Sequence, residues 1–206
     1  MHRKEEVLED LLKTDLGISL FVPKDFNTDK YGTFTREVKR RGTQIEIAIR
    51  KAKDAANKYG YDLAIASEGS FGPDPRVPFL NLNYEVVVLV DLKNGLEVVG
   101  EYFTNDTNFS GRYISAVDKA EEYVKKLGFP KSGVILRKSK DFPFFIYKNI
   151  KTFSELKEVF RKLSAIPFSR KVFIEADMRA DRNPKRMKAI EKAGKNLVEK
   201  VLKGNV

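Results

Sequence analysis

Tyr84-Glu85-Val86-Val87-Val88-Leu89-Val90-Asp91-Leu92 and Leu96-Glu97-Val98-Val99-Gly100-Glu101-Tyr102-Phe103 flank Lys93-Asn94-Gly95. β-Branched and aromatic residues fill both runs. Asn-Gly between such runs is a strong hairpin signal, because both residues accept the positive φ that a tight, twisted turn needs. A long antiparallel hairpin is therefore expected at the centre of the chain. Outward from it, periodicity predicts helices over 3–13, 43–59, 115–128, 154–163 and from 184 onward, and short strands over 18–22, 63–66, 134–137, 144–147 and 172–175. Gly17 ends the first helix, Thr43 caps the second, and Asn183-Pro184 starts the last. Ala48, Ala52, Ala55 and Ala56 recur at helical spacing, as close packing on a sheet requires. Phe142-Pro143-Phe144-Phe145 reads as core strand. The sum is a single α/β domain over residues 1–206, with a mixed β-sheet that contains the antiparallel hairpin and is flanked by helices.

The 206 residues carry a net charge of +10, and 42% of them are hydrophobic, enough to build a core. Absences decide more. The chain has no cysteine and one histidine, His2, beside the initiator methionine. Thiolate chemistry, disulfides and Cys-based zinc sites are excluded, and a Ser-His-Asp triad or multi-histidine metal site has nothing to stand on. Chemistry must come from carboxylates, hydroxyls, Lys, Arg and backbone amides, with Mg²⁺ as a suitable hard cation. No apolar leader follows the first charges, and the longest aliphatic run, residues 86–90, is far too short to span a membrane. A cytoplasmic protein is expected.

Three blocks could carry function. The first, Ser67-Glu68-Gly69-Ser70-Phe71-Gly72-Pro73, follows an apolar strand and reads as a strand-to-loop junction. Ligands bind at such carboxyl ends of strands, and Glu68, Gly69 and Ser70 offer a carboxylate beside donors for an anion. A tight turn with a solvated Glu is the plain alternative. In the second, Thr28-Asp29-Lys30-Tyr31-Gly32-Thr33-Phe34-Thr35 leads toward the helix start at Gly42-Thr43, where Thr33 and Thr35 could present hydroxyls to phosphate. Glu46, in that helix's first turn, sits where a carboxylate stabilises the helix without any catalytic role. In the third, Arg179, Arg182, Lys185, Arg186 and Lys188 put five cations within ten residues across a helix N-terminus. Arg suits forked recognition of phosphate, and Asp177 and Asp181 could instead satisfy these arginines structurally.

Together, Lys4-Glu5, the Thr28–Thr35 block, the Ser67–Pro73 block, and Asp177-Met178-Arg179-Ala180 with Asn183-Pro184-x-Arg186-Met187 resemble an uncharacterised domain-of-unknown-function family of bacteria and archaea, one with no assigned activity. A more remote likeness is to the inosine/xanthosine triphosphate pyrophosphatase (Maf-like) superfamily. It rests on a Lys near the start of helix one, Gly42-Thr43-x-x-Glu46, a buried strand ending in an acid plus Gly and Ser, a long Asn-Gly hairpin and a late Arg cluster. That likeness implies a pyrophosphatase-like fold, with Glu68 and Glu46 handling Mg²⁺ and water as catalytic residues. It also implies phosphate contacts at Lys4, Gly69, Ser70, Thr33 and Thr35, and nucleotide contacts at Arg179, Arg182, Asn183 and Arg186. Ser67 stands where the superfamily often has a second acid.

Two functions follow as expectations. One is a Mg²⁺-dependent phosphohydrolase of nucleoside triphosphates or related small anions. The other is an RNA or other nucleic-acid-binding module, or a nucleotide-binding protein without catalysis; self-association as a homodimer stays open. Charge is uneven along the chain: +1 over residues 1–50, −2 over 51–100, +3 over 101–150 and +8 over 151–206. Such focusing favours a small anionic ligand over a polyanion bound along the whole surface.

Overall fold

The computed structural model describes residues 3–31, 42–74, 76–141, 144–167 and 169–204. Among them are five helices, α1 (Glu5–Leu16), α2 (Gln44–Tyr59), α3 (Val117–Lys126), α4 (Phe153–Ala165) and α5 (Pro184–Leu202). There are seven strands, β1 (Leu63–Pro73), β2 (Asn81–Asp91), β3 (Leu96–Thr104), β4 (Gly111–Ile114), β5 (Val134–Arg137), β6 (Ile146–Tyr147) and β7 (Val172–Ala176). The residues cluster into two compact units, one drawn from Met1–Thr107 and Lys185–Val206, the other from Asn108–Pro184.

The first unit holds the sheet β1-β2-β3, antiparallel throughout. The predicted hairpin is β2-β3. Asp91 pairs with Leu96, and the turn between them is closed by the Asp91 carboxylate, which accepts from the Asn94 amide nitrogen at 3.0 Å and from Asn94 Nδ2 at 2.6 Å, with Gly95 at φ 70°. Residues paired in register share a face and successive residues alternate. Val86, Val88 and Val90 therefore point one way, against Ala48 and Ala52 of α2, and alanine at those helix positions permits the close approach. The opposite face meets α5. A Cβ at Gly100 would lie 2.3 Å from the Ala193 carbonyl oxygen, so only glycine lets that helix backbone down onto β3. α1 packs in turn on α5, with Leu8 and Leu11 over Gly194. The outer edge of β3 is engaged by α5: Glu101 N donates to Asn196 Oδ1 at 2.9 Å, and Lys200 Nζ donates to the Val99 carbonyl at 2.6 Å.

The second unit holds the sheet β4-β7-β5-β6, again antiparallel throughout, with α3 and α4. Leu136 and Ile174, opposite each other in register, are fully buried, as are Leu156 and Leu163 of α4. Thr152 caps α4, its side chain accepting from Glu155 N at 3.1 Å.

The α/β class and the long hairpin stand as read, and three details differ. Strands are divided between two antiparallel sheets instead of one mixed sheet, because residues 18–22 form no strand and β4, missing from the periodicity, supplies a partner for β7. Phe21 of the 18–22 segment is 58% exposed and packs edge-on to Tyr59, so its apolar character serves aromatic contact at the end of α2. Phe144 and Phe145 are not core strand: both are more than half exposed and Phe145 has φ 55°, leaving only Ile146 and Tyr147 to pair with β5. Phe142 and Pro143 lie outside the described residues.

Candidate anion site

The third difference decides the site. Ser67-Glu68-Gly69-Ser70 is not a loop after a strand; it is the interior of β1, which stays paired with β2 from Leu63↔Asp91 to Pro73↔Asn81. Glycine and serine here answer to what crosses the strand. Gly69 pairs with Glu85, and a Cβ on it would lie 2.4 Å from both Glu85 carboxylate oxygens. Its absence leaves room for that carboxylate to reach Arg186, whose Nε donates to Oε1 at 2.8 Å and Nη2 to Oε2 at 3.4 Å. Both side chains are wholly buried. The guanidinium also stands over the Phe71 ring, 5.4 Å from its centroid.

The alternate face of β1 carries a second buried pair, Glu68 with Lys51 of α2. Ser70 next to it is bonded by Gln44 Nε2. Lys51 lies 5.5 Å from the centroid of the Tyr31 ring, and Tyr31 is hydrogen-bonded to Asp54. Burial, then that hydrogen bond, push the Tyr31 phenol well above its ordinary pKa.

Lys4, at the start of α1, joins the two faces. Its Nζ donates to Ser67 Oγ at 2.9 Å and to the Ser67 carbonyl at 3.2 Å, on the outer edge of β1. Among the described residues no carboxylate forms an ion pair with it. Burial first, and then the Arg186 charge, lower its pKa to about 8, against the opposing pull of Glu68 and Glu85; Lys51 adds to the lowering. Among the described residues, Lys4, Lys51 and Arg186 thus share the region with Glu68 and Glu85. Asn83, opposite Phe71 and two residues from Glu85 on the same face, is 1% exposed, and its Oδ1 has no hydrogen-bond partner among the described residues.

The predicted residues fall into five groups. Lys4, Glu68, Gly69 and Arg186 come together with Glu85, Lys51 and Ser67. Ser70 lies beside them on β1. Glu46 is exposed and completes the capping box of α2, its Oε2 accepting from Thr43 N at 2.8 Å while Thr43 Oγ1 accepts from Glu46 N at 3.2 Å. Arg179, Arg182 and Asn183 belong to the second unit and have partners there: Arg179 forks onto Asp177, its Nη2 also donating to Asn149 Oδ1 at 2.9 Å, and Arg182 pairs with Asp181 at 3.3 Å. Asn183, fully buried, donates to Asn108 Oδ1 at 2.8 Å and to the Asp177 carbonyl at 3.2 Å. Thr33 and Thr35 lie outside the described residues.

Sequence reasoning missed Ser67, Lys51, Glu85 and Asn83. A signal existed for two of them. Glu85 is a lone acid at the head of an aliphatic run, where an inward carboxylate demands a buried cation, and Lys51 follows Ala48 at the spacing of one helix face.

This is an α/β protein whose three-stranded sheet is threaded by buried ion pairs and edged by a lysine without an acidic partner among the described residues. Residues 51–204 match the family described as Domain of unknown function (DUF6671), and the chain belongs to that family. No curated protein and no solved structure matches the chain, so the likeness to the pyrophosphatase superfamily gains no support there. No helix among the described residues is long and apolar enough to cross a membrane.

Proposed function

We propose that the first unit binds a small phosphorylated anion, with Lys4 as its charged contact. The observation that carries this reading is the Lys4 ammonium, half-buried, hydrogen-bonded among the described residues to Ser67 alone, with the charges of Arg186 and Lys51 beside it. A cation held this way is poorly solvated and incompletely paired, and an incoming phosphate supplies what it lacks. A nucleotide is the natural member of that ligand class for the remote superfamily likeness.

Mg²⁺-dependent hydrolysis by Glu68 and Glu46 asks more of these residues. Glu68 is held by Lys51, Glu46 by the Thr43 amide, and among the described residues no three His, Asp or Glu side chains group as metal ligands. The donor set as arranged does not suit a divalent cation, so no step is drawn through one. The arginines Arg179, Arg182 and Arg186 are each ion-paired within the chain, which weakens the case for a nucleic-acid surface built on them.

Thermal unfolding with millimolar ATP or inorganic pyrophosphate tests the reading. Stabilisation is expected for the wild type, about 3 kcal/mol at a ligand concentration 100 times Kd. It should be absent in Lys4→Met. No shift with any phosphate compound overturns the proposal. Pyrophosphate release from a nucleotide panel with Mg²⁺, measured against Glu68→Gln, decides separately whether binding leads to hydrolysis.

A further inference from the structure

We propose that Ser67 is a nucleophile and Lys4 its general base, a serine–lysine pair that takes the phosphoryl group of the anion bound at this site. The inference rests on the anion reading above and adds the chemistry.

With no cysteine, and its one histidine at position 2, the chain needs another base to activate a hydroxyl, and a lysine serves if it can shed its proton near neutral pH. Lys4 Nζ lies 2.9 Å from Ser67 Oγ, within proton-transfer reach, and a second bond to the Ser67 carbonyl holds the amine on that residue. Ser70 Oγ, on the alternate face of β1, accepts instead from Gln44 Nε2 and has no described base hydrogen-bonded to it. Ser67's hydroxyl has Lys4 as its sole described partner, and the residue is only partly buried. The charged groups facing Lys4 among the described residues are Arg186, Glu68, Glu85 and Lys51, and burial with Arg186 brings its pKa to about 8 in the unliganded chain, so near that pH the ammonium fraction can hold the anion and the neutral fraction can accept the proton.

In the proposed step, Ser67 Oγ bonds to phosphorus while the bond from phosphorus to the leaving oxygen breaks, its electron pair going to that oxygen. The Ser67 proton passes to Lys4 Nζ and from the ammonium to the leaving oxygen. Water then attacks the phosphoserine and gives a proton to Lys4, and the departing Ser67 oxygen takes it back. No oxidant or cofactor enters the balance.

Diisopropyl fluorophosphate provides the test on the full chain, because its reaction with serine forms the same Oγ–P bond, expels fluoride and leaves the proton with the base. Peptide mass spectrometry is expected to locate one adduct, on Ser67, forming faster as pH rises through about 8. Lys4→Arg keeps the charge and can still donate to Ser67, yet cannot accept the proton; labelling should fall about 100-fold and lose its pH dependence. No Ser67 adduct, or equal labelling in wild type and Lys4→Arg, overturns the pair. Protection by pyrophosphate is expected. Labelling without protection leaves the pair standing and removes the anion reading, whereas ligand-induced stabilisation without labelling does the reverse.

Discussion

The Glu85 carboxylate and the Arg186 guanidinium, 101 residues apart in the chain, meet at 2.8 Å with neither side chain reaching solvent. Such a pair draws little net stability from its own attraction, since both charges give up water to make it, but removing one partner strands the other. Arg186→Met should cost about 3–5 kcal/mol, and Glu85→Leu combined with Arg186→Met should recover most of that loss. Urea unfolding of both single variants and the double variant checks this. A double variant whose loss equals the sum of the two single losses would mean the residues act independently.

Gly69 is coupled to that pair by space alone. Gly69→Ala puts a methyl group onto a carboxylate that Arg186 prevents from moving, and a loss of about 1–3 kcal/mol is expected. In a Glu85→Ala background the same substitution should be nearly silent. A double-mutant cycle from unfolding curves measures the difference.

Lys4 makes stability depend on pH in a fixed direction. Its folded pKa, about 8, lies below the ordinary 10.5, so between those values the unfolded chain binds the extra proton. The cost of holding the ammonium is present in full below about pH 8 and fades as pH rises toward 10.5. Stability from this residue therefore rises with pH across that window. Lys4→Met should flatten this slope and gain stability at pH 7 while losing the ligand response. Denaturant midpoints from pH 7 to 10.5 report both effects.

Glu46 separates scaffold from site. Thr43→Ala should cost about 1 kcal/mol through the lost cap, and Glu46→Ala a smaller part of that, with the response to pyrophosphate unchanged in both. Loss of that response in Glu46→Ala would extend the site to the start of α2.

What could be read from the sequence was mostly local. The hairpin follows from Asn94-Gly95 between β-branched runs, and a helix-stabilising place for Glu46 from its position in the first turn of α2; its capping-box bond to the Thr43 amide is seen only in the structure. Register was not legible. Nothing local to Ser67-Glu68-Gly69-Ser70 says that β2 runs alongside for its whole length, so turn-forming residues there suggested a loop. Gly69 is glycine because of Glu85, sixteen positions away, and Arg186 is buried because Glu85 is. The Asp177–Asn183 block carries two readings in sequence, a ligand-binding arginine cluster or arginines satisfied by Asp177 and Asp181, and spacing alone does not choose between them. Folded, Arg179 turns back onto Asp177, and Gly133 donates to the Arg182 carbonyl at 2.7 Å and accepts from Asp177 N at 2.9 Å. That network supports a structural role for the segment within its own unit.

The grip of α5 on β3 also bears on how copies of this chain can meet. A strand arriving from another molecule needs exposed amide and carbonyl groups as a template, and the Glu101 amide and the Val99 carbonyl already belong to Asn196 and Lys200. Extension of the sheet along this border would first require the C-terminal helix to release both bonds. Asn196→Ala with Lys200→Ala would free these two backbone groups while leaving the packing of α5 on Gly100 in place.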